Sequence, residues 1–187
     1  SHPQRKGVEE CPPGAVFVID SRRNFSAASA GGILLTRLWK RGADPLAAPL
    51  LFEIDQNAMA TGAVVDRTAG TERLWFFDRF DFFDEYVWIG DRNGPQVRLD
   101  LPTDGSIGFN RDWFVFKTRT AWTVEGRTYA PDTMLGGAIA DIVAGKHRLE
   151  VLFEPSERVA LRNFFWAGGR VGLSILDNLR PRYDMFT

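Results

Sequence analysis

Hydrophobic residues along the chain fall in short alternating runs closed by glycine, proline, asparagine or aspartate, which is the pattern of β-strands joined by turns rather than of amphipathic helices. The clearest run is 113–118, where Trp113, Val115 and Lys117 share one parity and Phe114, Phe116 and Thr118 the other. The turn Asp104-Gly105-Ser106 precedes it. On this parity Trp113 belongs to the core, where truncation to alanine costs about 3–5 kcal/mol. Upstream, 15–19, 33–40 and 50–54 read as strands, with Arg41-Gly42-Ala43-Asp44-Pro45 turning the chain between the last two and 21–32 as a loop. A small-residue run at 62–66 follows, suited to crowding near an axis. Next come a turn at Thr68-Ala-Gly-Thr71, an aromatic and charged run at 74–83, a strand at 86–89, the hairpin dipeptide Asn93-Gly94, and a last strand carrying Val97, Leu99 and Leu101. The stretch 133–145 pairs a short strand with Ala138, Ile139, Ile142 and Val143, which suit a helical turn. Runs at 164–166 and 171–176 close the sequence.

These strands recur in units. Leu149-Glu-Val-Leu-Phe-Glu154 nearly repeats Leu50-Leu51-Phe52-Glu53, with the short strand Val97-Arg-Leu-Asp-Leu-Pro102 between them. A period of roughly 40–50 residues with several short strands per unit is the pattern of a β-propeller. The expected fold class is therefore all-β, a partial propeller of four-stranded antiparallel blades. Residues 55–102 and 103–155 form complete blades, 12–54 and 156–187 partial ones, and 1–11 a tail with a tag-like Ser1-His2 start. A blade buries neither face alone, so fifteen phenylalanines and six tryptophans are expected chiefly between sheets. Bare aromatic faces and strand edges of such an array are expected to promote homo-association.

Charge narrows the function classes. The formal net charge of the 187 residues is −1, which gives no electrostatic case for nucleic acid or an anionic membrane surface. No apolar run approaches the length of a membrane-spanning helix. Cys11 is the one cysteine, so neither an intrachain disulfide nor a cysteine-rich metal site is expected. A cytoplasmic setting fits, with periplasm and secretion left open, and no secretory leader is visible. The triplet Asn24-Phe25-Ser26 matches a glycosylation sequon by chance composition.

Catalytic chemistry is hard to place. Of two histidines, His2 sits in the tail and Gly145-Lys-His-Arg148 reads as a solvated turn. Ser106 and Ser174 each make half a nucleophile-elbow match: Asp104 stands where the first needs glycine, and Leu176 where the second does. Asp78, Asp81, Asp84 and Glu85 crowd one hairpin and could hold a cation or act as an acid/base pair. Their more economical reading is solvent-facing carboxylates paired with Arg73, Arg79 or Arg92. Gly136-Gly137 and Gly168-Gly169 lack the spacing of a phosphate loop. No catalytic residue, metal site or cofactor is expected from these residues.

Several stretches carry a family likeness. Trp122-Thr-Val-Glu-Gly-Arg-Thr-Tyr-Ala-Pro131, Leu149-Glu-Val-Leu-Phe-Glu-Pro-Ser-Glu-Arg158 and Leu173-Ser-Ile-Leu-Asp-Asn-Leu-Arg180 resemble the propeller of the prolyl oligopeptidase family of serine peptidases. Leu38-Trp-Lys-Arg-Gly-Ala-Asp-Pro-Leu46 and Asp66-Arg-Thr-Ala-Gly-Thr-Glu-Arg73 are similar to it as well. The resemblance implies an enzyme in which an α/β-hydrolase domain bears a Ser-Asp-His triad and a seven-bladed propeller caps it, admitting short peptides. This chain resembles the cap alone, and nothing in it matches the triad. Its implied partners are that hydrolase domain and the short peptide substrate. Asp66, Arg67, Arg111 and Arg158, on the expected innermost strands, are candidates for lining the tunnel. The alternative reading is a free-standing propeller-like module that binds protein or sugar.

Overall fold

The computed structural model describes residues 10–11, 15–21, 34–40, 42–44, 47–54, 58–68, 70, 72–91 and 94–187. The sequon at Asn24, His2 and the tag-like start, most of the 21–32 loop, Arg92 and Asn93 lie outside them. The described chain is all-β apart from one short helix. It divides into two compact units, one of 1–66 with 72–98, the other of 67–71 with 99–187.

The first unit holds two antiparallel meanders. Strands β1 (Glu10–Cys11), β2 (Ala15–Ser21), β3 (Leu34–Lys40) and β4 (Leu50–Ile54) lie side by side in chain order. The first sheet thus has four strands, where the sequence suggested a partial unit. Strands β5 (Ala60–Asp66), β6 (Arg73–Arg79), β7 (Glu85–Gly90) and β8 (Val97–Arg98) repeat that order. The sheets meet through Phe52 and Ile54 of β4, Ala63 of β5 and Leu74 and Phe76 of β6. Phe52 lies 4.9 Å from Phe76 and edge-on to Trp88 at 5.6 Å. On the other face of the β5–β8 sheet the Phe77 ring lies over Gly62, where a Cβ would stand 2.4 Å from it.

The second unit is built the same way with one elaboration. Strands β9 (Ser106–Asn110) and β10 (Trp113–Lys117) form a hairpin, and β13 (Met134–Ala138) and β14 (Glu150–Phe153) complete the sheet in the order β9-β10-β13-β14. Between β10 and β13 a separate hairpin projects, β11 (Trp122–Val124) with β12 (Arg127–Tyr129). Its turn, Glu125-Gly126, has both residues at positive φ, +48° and +78°, the two-residue turn that suits strand twist. Helix α1 (Ile139–Val143) follows β13 and buries Ile139 and Ile142, as the apolar spacing there suggested. A last sheet of β15 (Val159–Ala167), β16 (Arg170–Asp177) and β17 (Arg180–Phe186) packs on the β9–β14 sheet through Val115, Met134, Phe153, Leu161, Val171, Leu173 and Ile175.

The parity expected for 113–118 is not the one observed. Phe114, Val115 and Phe116 are all buried although they point to alternate faces, while Trp113 is 54% exposed at the strand's first position. A strand covered on both faces loses the in/out alternation, and exposure then falls at its ends. The aromatic run at 74–83 is corrected on the same grounds: β6 ends at Arg79, and Phe80, Phe82 and Phe83 lie exposed in the turn beyond it. The strand expected through Leu101 is likewise only Val97–Arg98, with Leu99 buried just past it.

Leu173→Ala, which empties a fully buried site, is therefore expected to cost about 2–5 kcal/mol. Trp113→Ala should cost under about 1 kcal/mol, because no closed cavity follows. Urea unfolding of the two variants measures the difference directly, and equal losses would refute this assignment of the core.

Candidate functional site

The candidate lining residues sit at strand ends. Asp66 closes β5 directly opposite Arg73, the first residue of β6. Its carboxylate is buried and accepts from Arg73 Nη2 at 2.7 Å and Nε at 3.2 Å, and from Trp75 Nε1 at 3.3 Å. A buried carboxylate held by a guanidinium fork and an indole satisfies the requirement that desolvated charge be paired and hydrogen-bonded. Asp66 thus fixes the end of the β5–β6 hairpin.

Arg67, next along, is exposed and its carbonyl accepts the Gly70 N–H at 3.1 Å, closing a tight turn. Thr68 Oγ1 accepts the backbone N–H of Arg111 at 2.5 Å. Arg111 begins the two-residue turn between β9 and β10 with φ +51°, a left-handed conformation that glycine adopts most readily. Its guanidinium lies against the β15–β16 turn, where a Cβ on Gly169 would stand 3.2 Å from Arg111 Cζ. Within the second unit, the 67–71 segment, the β9–β10 turn and the Gly168-Gly169 turn therefore meet at Arg111.

Arg158 lies elsewhere. It precedes Val159, its carbonyl accepts the Asn178 N–H at 2.9 Å, and its side chain is exposed. The whole of β15 separates it from Gly168, about 30 Å at strand rise. Three of the four candidates are thus near neighbours along the chain or in space, and the fourth stands at the far end of its strand.

The other chemical candidates resolve individually. Ser106 and Ser174 are strand residues, paired with Lys117 and with Asn163 and Tyr183, so neither sits on an elbow. In the acidic hairpin, Arg79 Nη2 holds Glu85 at 2.7 Å and Asp81 Oδ1 accepts the Phe82 N–H at 2.6 Å, whereas Arg73 turns to Asp66.

The solvated turn expected around His147 needs correction. Gly145, Lys146 and Arg148 are exposed, but the His147 side chain is only 8% exposed. Its ring meets Trp122 edge-on at 5.7 Å, and Nε2 lies 2.9 Å from the Asp100 carbonyl. Trp122 in turn contacts Phe116 at 6.0 Å and Tyr129 at 5.9 Å, with the Arg127 guanidinium 4.8 Å over the Tyr129 ring. At the hairpin's base Thr118 Oγ1 donates to the Ala130 carbonyl at 2.8 Å and accepts the Thr133 N–H at 3.0 Å. The signal for this box was present in the sequence: Trp122 and Tyr129 flank Glu125-Gly126 symmetrically, as cross-strand partners must.

No protein-family model matches the chain, and no curated protein matches it. Solved structures do. A post-proline cleaving enzyme from Rickettsia typhi superposes with a TM-score of 0.74 at 15% identity, over 98% of this chain and 36% of that one. The chain is similar in fold to the propeller region of prolyl endopeptidases. A structure from a study of inter-domain dynamics in two prolyl endopeptidases agrees, with a TM-score of 0.64 at 11% identity, over 93% of this chain and 25% of that one. The chain therefore spans about a third of the first relative's length and a quarter of the second's. At these identities the likeness to prolyl endopeptidases is one of fold.

Removing Asp66 leaves Arg73 with its buried partner gone. Asp66→Ala is expected to cost about 3–5 kcal/mol, and Arg158→Ala no more than about 0.5 kcal/mol, read by thermal or urea unfolding. Similar losses at both sites would show that Asp66 is not the anchor of its hairpin. His147→Ala should speed amide hydrogen exchange across 122–129 and leave β16 protected, since the ring packs against Trp122 and bonds the Asp100 carbonyl; unchanged exchange would deny it that part.

Proposed function

We propose that this chain is the non-catalytic propeller portion of a prolyl endopeptidase-like serine peptidase, and that it restricts the enzyme's active site to short peptides. The observation that carries the reading is the superposition over 98% of the chain on a post-proline cleaving enzyme almost three times as long. Each meander then serves as a blade: three of four strands and one of three. The partner is the α/β-hydrolase domain that supplies the triad, and this chain contributes no catalytic residue.

In this reading selectivity is steric. Antiparallel sheets whose central strands are buried on both faces deform little, because local opening would expose apolar surface at roughly 25 cal/mol per Å². A passage framed by such sheets passes an extended peptide and stops a folded domain. Arg67, Arg111 and Arg158 are the proposed lining side chains, all exposed. Asp66 belongs to the same proposal through the strand end it holds.

Two measurements test the reading. The purified 187-residue chain should not cleave proline-containing chromogenic peptides. In the protein that carries it together with a hydrolase domain, shortening this region should extend cleavage from short peptides to an unfolded protein such as reduced casein. Peptidase activity of the chain alone, or an unchanged substrate size range after shortening, would overturn the proposal.

A further inference from the structure

The turn between β6 and β7 carries phenylalanine where a hairpin turn ordinarily carries small or polar residues. Phe80, Phe82 and Phe83 are all exposed, Phe82 at 72% and Phe83 at 55%. Leu74 and Phe76 of the same hairpin are buried in the core of the unit, and Phe82 and Phe83 lie outside that core. The turn is nevertheless closely tied. The Asp84 carbonyl accepts the N–H groups of Phe80 at 3.1 Å and of Asp81 at 3.3 Å, and Asp81 Oδ1 accepts that of Phe82. The Arg79–Glu85 ion pair closes its base. Phe80 rests on Tyr86 at 4.8 Å, with the Arg98 guanidinium 4.8 Å over the Tyr86 ring, and Phe82 meets Phe83 edge-on at 5.1 Å. The hairpin thus ends in an aromatic knob whose rings are held in place before any partner arrives.

Strand direction says which end of the sheet this is. In an antiparallel meander of four strands, the turn between the second and third lies where the first strand starts and the fourth stops. The knob accordingly stands beside the entry to β5, where the Met59 N–H donates to the Arg79 carbonyl at 2.7 Å and the Met59 side chain is itself exposed. In the propeller reading the chain enters and leaves the array at this end, so this is the side from which it runs on to a joined domain. We propose that the knob is a contact by which this chain docks on the α/β-hydrolase domain of its own polypeptide, seated in an apolar recess bordered by lysine or arginine.

Charge and shape select that occupant. From Arg79 to Glu85 three carboxylates, Asp81, Asp84 and Glu85, stand against one guanidinium. A second copy of the same knob, or an anionic bilayer, sets like charge against like, whereas basic groups around a recess are matched by it. Exposed phenylalanine faces attract the same cations. An extended peptide is taken up in a groove or along a strand edge, and a hairpin tip offers neither. A protruding aromatic cluster is instead the form in which one folded surface anchors on another. This inference rests on the peptidase reading and adds to it the surface through which the two domains meet.

The test uses the protein that carries this chain together with the hydrolase domain, with the photo-crosslinking residue benzoylphenylalanine in place of Phe82 or, as a control, of Trp113. Trp113 is also exposed but starts the second strand of its meander, at the opposite end from a turn between second and third strands. Irradiation should join position 82 to peptides of the hydrolase domain within one polypeptide, identified by mass spectrometry. Position 113 should give about tenfold less of that product. Asp81→Lys combined with Asp84→Lys should cut the yield from position 82 about fivefold or more, with circular dichroism confirming that each variant is folded. Crosslinks between two copies, a yield from 82 no greater than from 113, or a yield indifferent to the charge reversal would overturn the proposal. A natural polypeptide without a hydrolase domain removes the peptidase reading and this inference with it. One that has the domain and cleaves short peptides, yet gives no crosslink from 82, removes this inference alone.

Discussion

A strand that buries three consecutive side chains must be covered on both faces, and this requirement governs the rest of the molecule. Leu74, Trp75 and Phe76 do so in β6 and Phe114, Val115 and Phe116 in β10, while β16 buries Val171, Leu173 and Ile175 on one face. Each is the second strand of its meander. Because successive side chains point oppositely, no single neighbouring layer can dry all three. Within each unit one layer is visible: the β1–β4 sheet lies on Leu74 and Phe76, and the β15–β17 sheet on Val115.

Polar groups are displaced to the strand ends as a result. Where a strand is dry on both sides, a charge along its middle has no route to water, and hydrogen bonding must be completed locally. Asp66 sits at the last position of β5 and answers Arg73 and Trp75; Lys117 ends β10 and reaches Asp132 at 2.8 Å; Thr118, just beyond, bonds Ala130 and Thr133. The tips of the hairpins are consequently the parts of this fold free to vary in chemistry. Both the Arg111 junction and the His147 box are built there.

Many of the strands and turns were legible in the sequence because glycine, proline and asparagine mark turns irrespective of what covers the sheet, whereas β9, β11, β12 and β17 went unassigned. The helical turn at 139–143 was legible too, from Ile139 and Ile142 three apart. What misled was parity. Alternation of Trp113, Val115 and Lys117 against Phe114 and Phe116 has meaning only for a sheet with one wet face, and this sheet has none, so Trp113 at the strand's start is exposed while both parities after it are buried. The His147 ring was hidden by its neighbours: Gly145, Lys146 and Arg148 are solvent residues, and Trp122, which covers the ring, stands upstream of β12, β13 and α1. Asp66 and Arg73 were both in view, but their pairing follows from the β5–β6 register, which separate strand assignments do not supply.

A likeness of fold at 15% identity bears unequally on different kinds of function. Catalysis depends on particular atoms within tenths of an ångström, and those do not follow from a shared backbone path. Exclusion by size depends on the backbone path itself, on sheet spacing, strand length and the stiffness conferred by two-faced burial. These are the properties that superposition compares, and that the buried triplets of β6 and β10 maintain. The proposed steric role is therefore of a kind that rests on backbone path rather than on particular side chains.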